Sequence, residues 1–234
     1  MQIELREKPK RGAVIVQGFP GFGLVSTIAT EYLIDHLNAK LIGKLSSEKT
    51  PAIAAIHKGN VVEPFGIFYD EKNNIVIVRA IASVSGMEYD LTQALICLAE
   101  EIKAKEVISL EGISSDGKPP EPEALFYTHN PEKKKKFTNL KIKEMDEGII
   151  VGVTASLLTR MPETTFIFAE AISELPDSRA AAKIIEVLDS YLDLKVDYKP
   201  LLKKAENFEK KVKDFLLRTK DIVKEKEKKE SYFG

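Results

Sequence analysis

The sequence predicts an α/β fold in which a mixed β-sheet is flanked by helices, followed by a C-terminal heptad helix and a short flexible tail. Three observations carry that expectation. A β-branched run at 13–17 leads through a glycine-rich turn into a helical pattern, the usual opening of an α/β unit. Two later strand-like runs are separated by Asn73-Asn74, a tight hairpin signal that makes them antiparallel and the sheet mixed. Beyond Pro200, apolar residues recur at alternating intervals of four and three.

Taken in order, the first strand is 13–17, and Gly18, Gly21 and Gly23 then form a structural turn. A helix follows over roughly 24–37, with Ile28, Tyr32 and Leu33 on one face. Strands are expected at 52–57, 65–69 and 75–80, then a helix over 91–104 with Leu91, Leu95 and Leu98 spaced for burial. A short buried strand at 107–110 runs into Glu111-Gly112. Residues 114–123 hold Asp-Gly, Pro-Pro and Glu-Pro and read as a loop. A strand at 125–127 comes next, and the lysine run 133–136 reads as solvated surface. The apolar segment 148–158 fits helix or strand, 165–169 reads as strand, and Asp177 is placed to cap a helix over 178–191.

The heptad positions are Leu201, Ala205, Phe208, Val212, Phe215, Thr219 and Ile222, a narrow stripe suited to an oligomer seam. Residues 224–231 contain no apolar side chain, so they are expected to act as a solvated tether. The tether leads to Tyr232, Phe233 and Gly234, and the last eleven residues reach at most roughly 40 Å when extended. The expected organisation is therefore a core domain at 1–198, a coiled-coil-like helix at 199–223 and a flexible tail at 224–234.

Composition narrows the function. With 234 residues, 44% hydrophobic, the chain has enough apolar material for one α/β core. Charged residues make up 30%, yet the net charge is −1, so no general attraction to nucleic acid or to an anionic membrane is expected. The single cysteine, Cys97, excludes an internal disulfide and a cysteine-rich metal site; its apolar neighbours predict a buried, inert thiol. The N-terminus lacks the apolar stretch of a secretory leader and no apolar run is long enough to span a bilayer, so the expectation is a cytoplasmic protein. Abundant lysine and glutamate without tryptophan suit a thermophilic source.

The chemistry-bearing residues do not assemble into a reactive set. Gly21-Phe22-Gly23-Leu24-Val25-Ser26 approaches a dinucleotide fingerprint, but no acidic residue closes the following strand region Leu41-Ile42-Gly43-Lys44 and no Lys-Ser/Thr follows the glycines. There is no G-x-S-x-G elbow, and Ser83, Ser85, Ser114 and Ser115 sit in turn-like sequence. His36, His57 and His129 are widely spaced, so no metal is expected. Asp116, Glu121 and Glu123 read as a solvated acidic loop. The expectation is a protein that docks onto others, without a cofactor and without catalysis.

The motifs G-F-P-G-F-G-L-V, E-G-I-S-S-D-G, G-I-I-V-G-V-T-A-S-L-L and P-D-S-R-A-A-A occur in that order over roughly residues 10–195. Together they resemble the proteasome assembly chaperone family, in particular its archaeal members. The resemblance implies a fold similar to nucleoside phosphorylases without their chemistry, and a role in assembling the proteasome α-subunit ring. It also implies a homo-oligomer, with tetramer and pentamer both open, whose C-terminal peptides enter pockets between α subunits. Such peptides carry a hydrophobic residue, a tyrosine, any residue and the terminal carboxylate, which maps onto Tyr232, Phe233 and Gly234. Phe233 departs by lacking the phenol hydroxyl, worth about 0.5–1.5 kcal/mol of hydrogen bonding. Two alternatives stay open: a non-proteasomal scaffold that pairs with a sibling chaperone, and a nucleoside- or nucleotide-handling enzyme on the same fold.

Overall fold

A computed structural model describes residues 1–50, 55–57, 59–114, 121–171 and 175–200. The strands are β1 (Gln2–Leu5), β2 (Val14–Gly18), β3 (Lys40–Ser46), β4 (Ala55–His57), β5 (Asn60–Val62), β6 (Phe65–Asp70), β7 (Ile75–Ala80), β8 (Glu106–Ser114), β9 (Ala124–Tyr127), β10 (Lys143–Glu144) and β11 (Thr165–Ala171). The helices are α1 (Val25–Leu37), α2 (Glu88–Glu101), α3 (Pro131–Asn139), α4 (Gly152–Arg160) and α5 (Ser178–Leu192).

Nine strands form one mixed sheet in the order β1-β3-β6-β7-β2-β8-β11-β9-β10, and β4 and β5 form a separate antiparallel hairpin. The central strands β7, β2, β8 and β11 are parallel. Strands β6 and β7 pair antiparallel through the Asn73-Asn74 turn, with Asn74 left-handed at φ 53°. A parallel centre must be covered on both faces, and the side chains divide accordingly. Ile75, Ile77, Ile108, Ile167 and Ala169 pack under α1, α3 and α5. Val76, Val78, Val107, Phe166 and Phe168 pack under α2 and α4.

Local sequence explains the helix starts. The Asp177 carboxylate accepts from the backbone N–H of Arg179 (3.1 Å) and Ala180 (3.0 Å), capping α5. Asn130 does the same for α3, with Pro131 in the first turn.

Four expectations change. Strands β1 and β3 join the sheet, although their sequences show no continuous apolar run. The strand expected at 107–110 extends over Glu106–Ser114, because β2 and β11 flank it on both sides. Cys97 is exposed: Leu91, Leu95 and Leu98 occupy the buried stripe of α2 and the thiol falls outside it. The lysine run lies on α3 and is not wholly solvated: Lys133 turns inward onto Glu106 at 3.1 Å, their side chains 19% and 8% exposed. Of the strand expected at 52–57, the described part is β4, and residues 115–120 of the expected loop lie outside the described residues.

Phe137 of α3 joins this pair to the core. It stacks between Phe126 (centroids 4.6 Å apart) and Tyr191 (4.4 Å), and the Tyr191 hydroxyl donates to Glu106 at 3.0 Å. Burial and the neighbouring Glu106 raise the Tyr191 pKa, so the phenol stays a donor. Phe137→Ala leaves a cavity between two rings and should cost about 3–5 kcal/mol, measured by urea unfolding. A cost below about 1 kcal/mol would show that the stack does not hold α3 on the body.

Candidate binding cleft at the glycine-rich turn

Strand β2 ends at Gly18 against the first turns of α1. A Cβ there would lie 2.4 Å from the Ser26 carbonyl oxygen, so any side chain would push the helix off the strand. The Ser26 hydroxyl donates back to the Phe19 carbonyl at 2.5 Å, tying the helix start to the chain that enters it. A short 3-10 turn at Phe22–Leu24 follows, with Gly23 at φ 62° and Leu24 at φ 48°. Leucine in the left-handed region is strained, and surrounding contacts must hold it there. One is the Asp177 backbone N–H, which donates to the Gly23 carbonyl at 2.9 Å.

The other contact comes from the C-terminal half of β8. Glu111 turns its carboxyl into the glycine-rich turn, so close that a Cβ on Gly21 would lie 2.0 Å from its Oε1. Gly112 is confined likewise, since a Cβ there would lie 2.1 Å from the Phe22 carbonyl oxygen. The Gly112 backbone N–H donates to Glu111 Oε1 at 3.2 Å, and the Thr154 hydroxyl of α4 donates to Oε2 at 2.8 Å. The nearby Phe22 backbone N–H also favours the charged carboxyl. Burial pushes the Glu111 pKa up to about 7, and these donors oppose the rise.

A line of buried polar groups backs Thr154. Its oxygen lies 3.4 Å from the Ser109 hydroxyl, which accepts from the Gln17 amide. Because Thr154 gives its proton to Glu111, its oxygen is left to accept from Ser109, and the donors run in one direction toward the carboxyl.

Glu111 lines a cleft of about 290 Å³ whose other walls include Phe19, Phe22, Val84, Ile150 and Val153. Glu111 is half-buried and borders the cleft. Ile149 (94% exposed) and Val151 (76%) stand at its rim. The chain leaves the adjacent carboxyl ends of β2 and β8 in opposite directions, toward β3 and toward β9. Crevices at such reversals are where open α/β sheets bind ligands.

The site residues expected from sequence are distributed unevenly. Gly18, Gly21 and Gly23 form the turn itself, and Ser114 lines the cleft. Ser83 and Ser85 precede α2. His36 stacks on Tyr32 at the end of α1, and His129 meets Tyr127 beyond β9. Among the described residues no three or more His, Cys, Asp or Glu are grouped to hold a metal, and no helix is long and apolar enough to cross a membrane. The seam residues Leu201 to Ile222 and the tail Tyr232, Phe233 and Gly234 lie outside the described residues. Sequence reasoning missed Glu111, although an acidic residue directly after a continuous apolar strand is a readable signal.

Residues 15–216 match the PAC2 family. The chain belongs to the PAC2 family. Pyrococcus furiosus PbaA, described as an archaeal homologue of proteasome-assembly chaperone, is a structural relative of this PAC2 chain: TM-score 0.83, 26% identity, covering 94% of this chain and 99% of that one. Pyrococcus furiosus PbaB, described as an archaeal proteasome activator, shares the fold with a TM-score of 0.74 at 22% identity, over 91% of this chain and 97% of that one. An uncharacterized protein of Methanocaldococcus jannaschii is 28% identical over 205 residues, 86% of this chain and 84% of its own.

Glu111 gives this PAC2 chain a pH dependence with a defined sign. Its folded pKa lies above the ordinary 4.5, so the native state binds the proton more tightly than the unfolded chain does. The stability it contributes is complete below about 4.5 and is lost as pH rises through about 7, a fall of about 3 kcal/mol. Urea midpoints across that range should fall for the wild type and stay flat, from this group, in Glu111→Gln. Parallel pH profiles for the two proteins would contradict the assignment.

Proposed function

We propose that the protein is a proteasome assembly chaperone or adaptor that binds proteasome α subunits through its C-terminal tails, presented by a homo-oligomer. The observation that carries this reading is the likeness to PbaA along nearly the whole chain. Membership of the PAC2 family and the shared fold with PbaB are consistent with it. The cleft supports a binding protein over an enzyme of nucleotides: the Glu111 carboxyl lies against Gly21 of the glycine-rich turn, where its charge would repel a phosphate.

The tail supplies the docking chemistry. Tyr232 and Phe233 are apolar anchors and Gly234 offers a carboxylate, at the end of a charged stretch with nothing to bury. One such tail lacking the tyrosine hydroxyl binds weakly. Several on one oligomer bind at high effective concentration, because after the first contact each later one is intramolecular. The stripe from Leu201 through Phe208 and Phe215 to Ile222 is the proposed oligomer seam.

Two measurements test these parts separately. Purified α-subunit rings should be captured by the full-length protein and not by a chain ending at Ser231; capture by both would overturn tail docking, and capture by neither would point to a sibling chaperone as partner. Phe208→Glu with Phe215→Glu should lower the solution mass measured by light scattering to that of a monomer. An unchanged mass would place the stripe against the protein's own body.

A further inference from the structure

Glu111 is a carboxylate surrounded by donors and, among the described residues, without a cation in an ion pair. Its hydrogen-bond partners are the Gly112 backbone N–H and the Thr154 hydroxyl, and none of the ion pairs among the described residues includes it. The line Gln17, Ser109, Thr154 points its donors at the carboxyl, an arrangement suited to an acceptor that carries charge. A buried charge held by neutral donors is costly, and a cation would stabilise it. The carboxyl faces a cleft with apolar walls, and the rim residues Ile149 and Val151 stand in solvent. Scattered exposed apolar side chains are ordinary, but two bordering a cleft with an unpaired acid form a composite surface.

We propose that this cleft docks a lysine-bearing segment of a partner protein, the ammonium pairing with Glu111 and flanking apolar residues covering Ile149 and Val151. The chemistry selects lysine. Both carboxylate oxygens already accept a hydrogen bond, so the two-pronged approach of a guanidinium is obstructed, whereas a compact ammonium needs only one free lone pair. The four-carbon stem of lysine packs along Phe19, Phe22, Ile150 and Val153 as its charge reaches the acid. The exposed rim selects a protein segment over a free amine, which would leave Ile149 and Val151 uncovered. This surface lies on the described body and is independent of tail docking, so either can fail without the other.

The test uses the full-length protein and the peptide acetyl-Leu-Gly-Lys-Gly-Leu-amide, whose leucines fall on the same side as the lysine when extended. Binding is followed by the amide proton resonances of Phe22 and Gly112. The lysine peptide should shift both to saturation. Replacing lysine by norleucine, or Glu111 by Gln, should weaken binding about tenfold or more. Ile149→Ser, at an exposed position that folding does not depend on, should weaken the peptide and leave n-butylammonium unaffected, which keeps the test decisive if Glu111→Gln does not fold. Equal binding of the lysine and norleucine peptides would overturn the cation's role. Butylammonium binding as tightly as the peptide would overturn protein docking in favour of a small amine. Absence of any shift at saturating peptide would overturn the site.

Discussion

The meeting of Glu111 with the turn after β2 is the constraint on which the upper end of the sheet depends. Three segments distant in sequence converge on one carboxyl: the glycine-rich turn at Gly21, β8 at Gly112, and the first turn of α4 at Thr154. The geometry tolerates no Cβ at Gly21 or Gly112, and it accompanies a leucine held in the left-handed region at the entrance to α1. Because α1 packs on α5 and α4 packs on α2, the carboxyl links the helical layers on the two faces of the sheet.

This changes the meaning of a motif that looks like a phosphate loop. A glycine-rich turn at a helix start offers backbone donors to an anion, and here the chain places its own carboxyl against that turn. The resulting site is an apolar cleft with an acid at its base, suited to apolar and cationic contacts and poorly suited to phosphate. The reading of the protein as a binding module and the physical character of its cleft therefore agree.

The parts legible in the sequence were those in which local chemistry and tertiary context agree. The run 75–80 is β7 as expected, its hairpin turn falls on Asn73-Asn74, and Asp177 caps α5. The parts that were not legible are those decided by tertiary packing. Lys40–Ser46 becomes a strand because β1 and β6 flank it, despite its lysines and Gly43. Helix α3 is hidden in a lysine run that has one buried aromatic, Phe137, and one inward lysine. Glu111 reads in sequence as the polar end of an apolar strand; only the fold brings it to the glycines ninety residues earlier.

The central claim is that an internal carboxylate, not a ligand, fills the anion-binding position of the glycine-rich turn. Calorimetry of the full-length protein with inorganic phosphate and with nucleosides tests it most directly. The account predicts no heat of binding and no rise in unfolding temperature with either. Stabilisation by phosphate, accompanied by shifts of the Phe22 and Gly112 amides, would show that the turn opens to an external anion and would contradict the account.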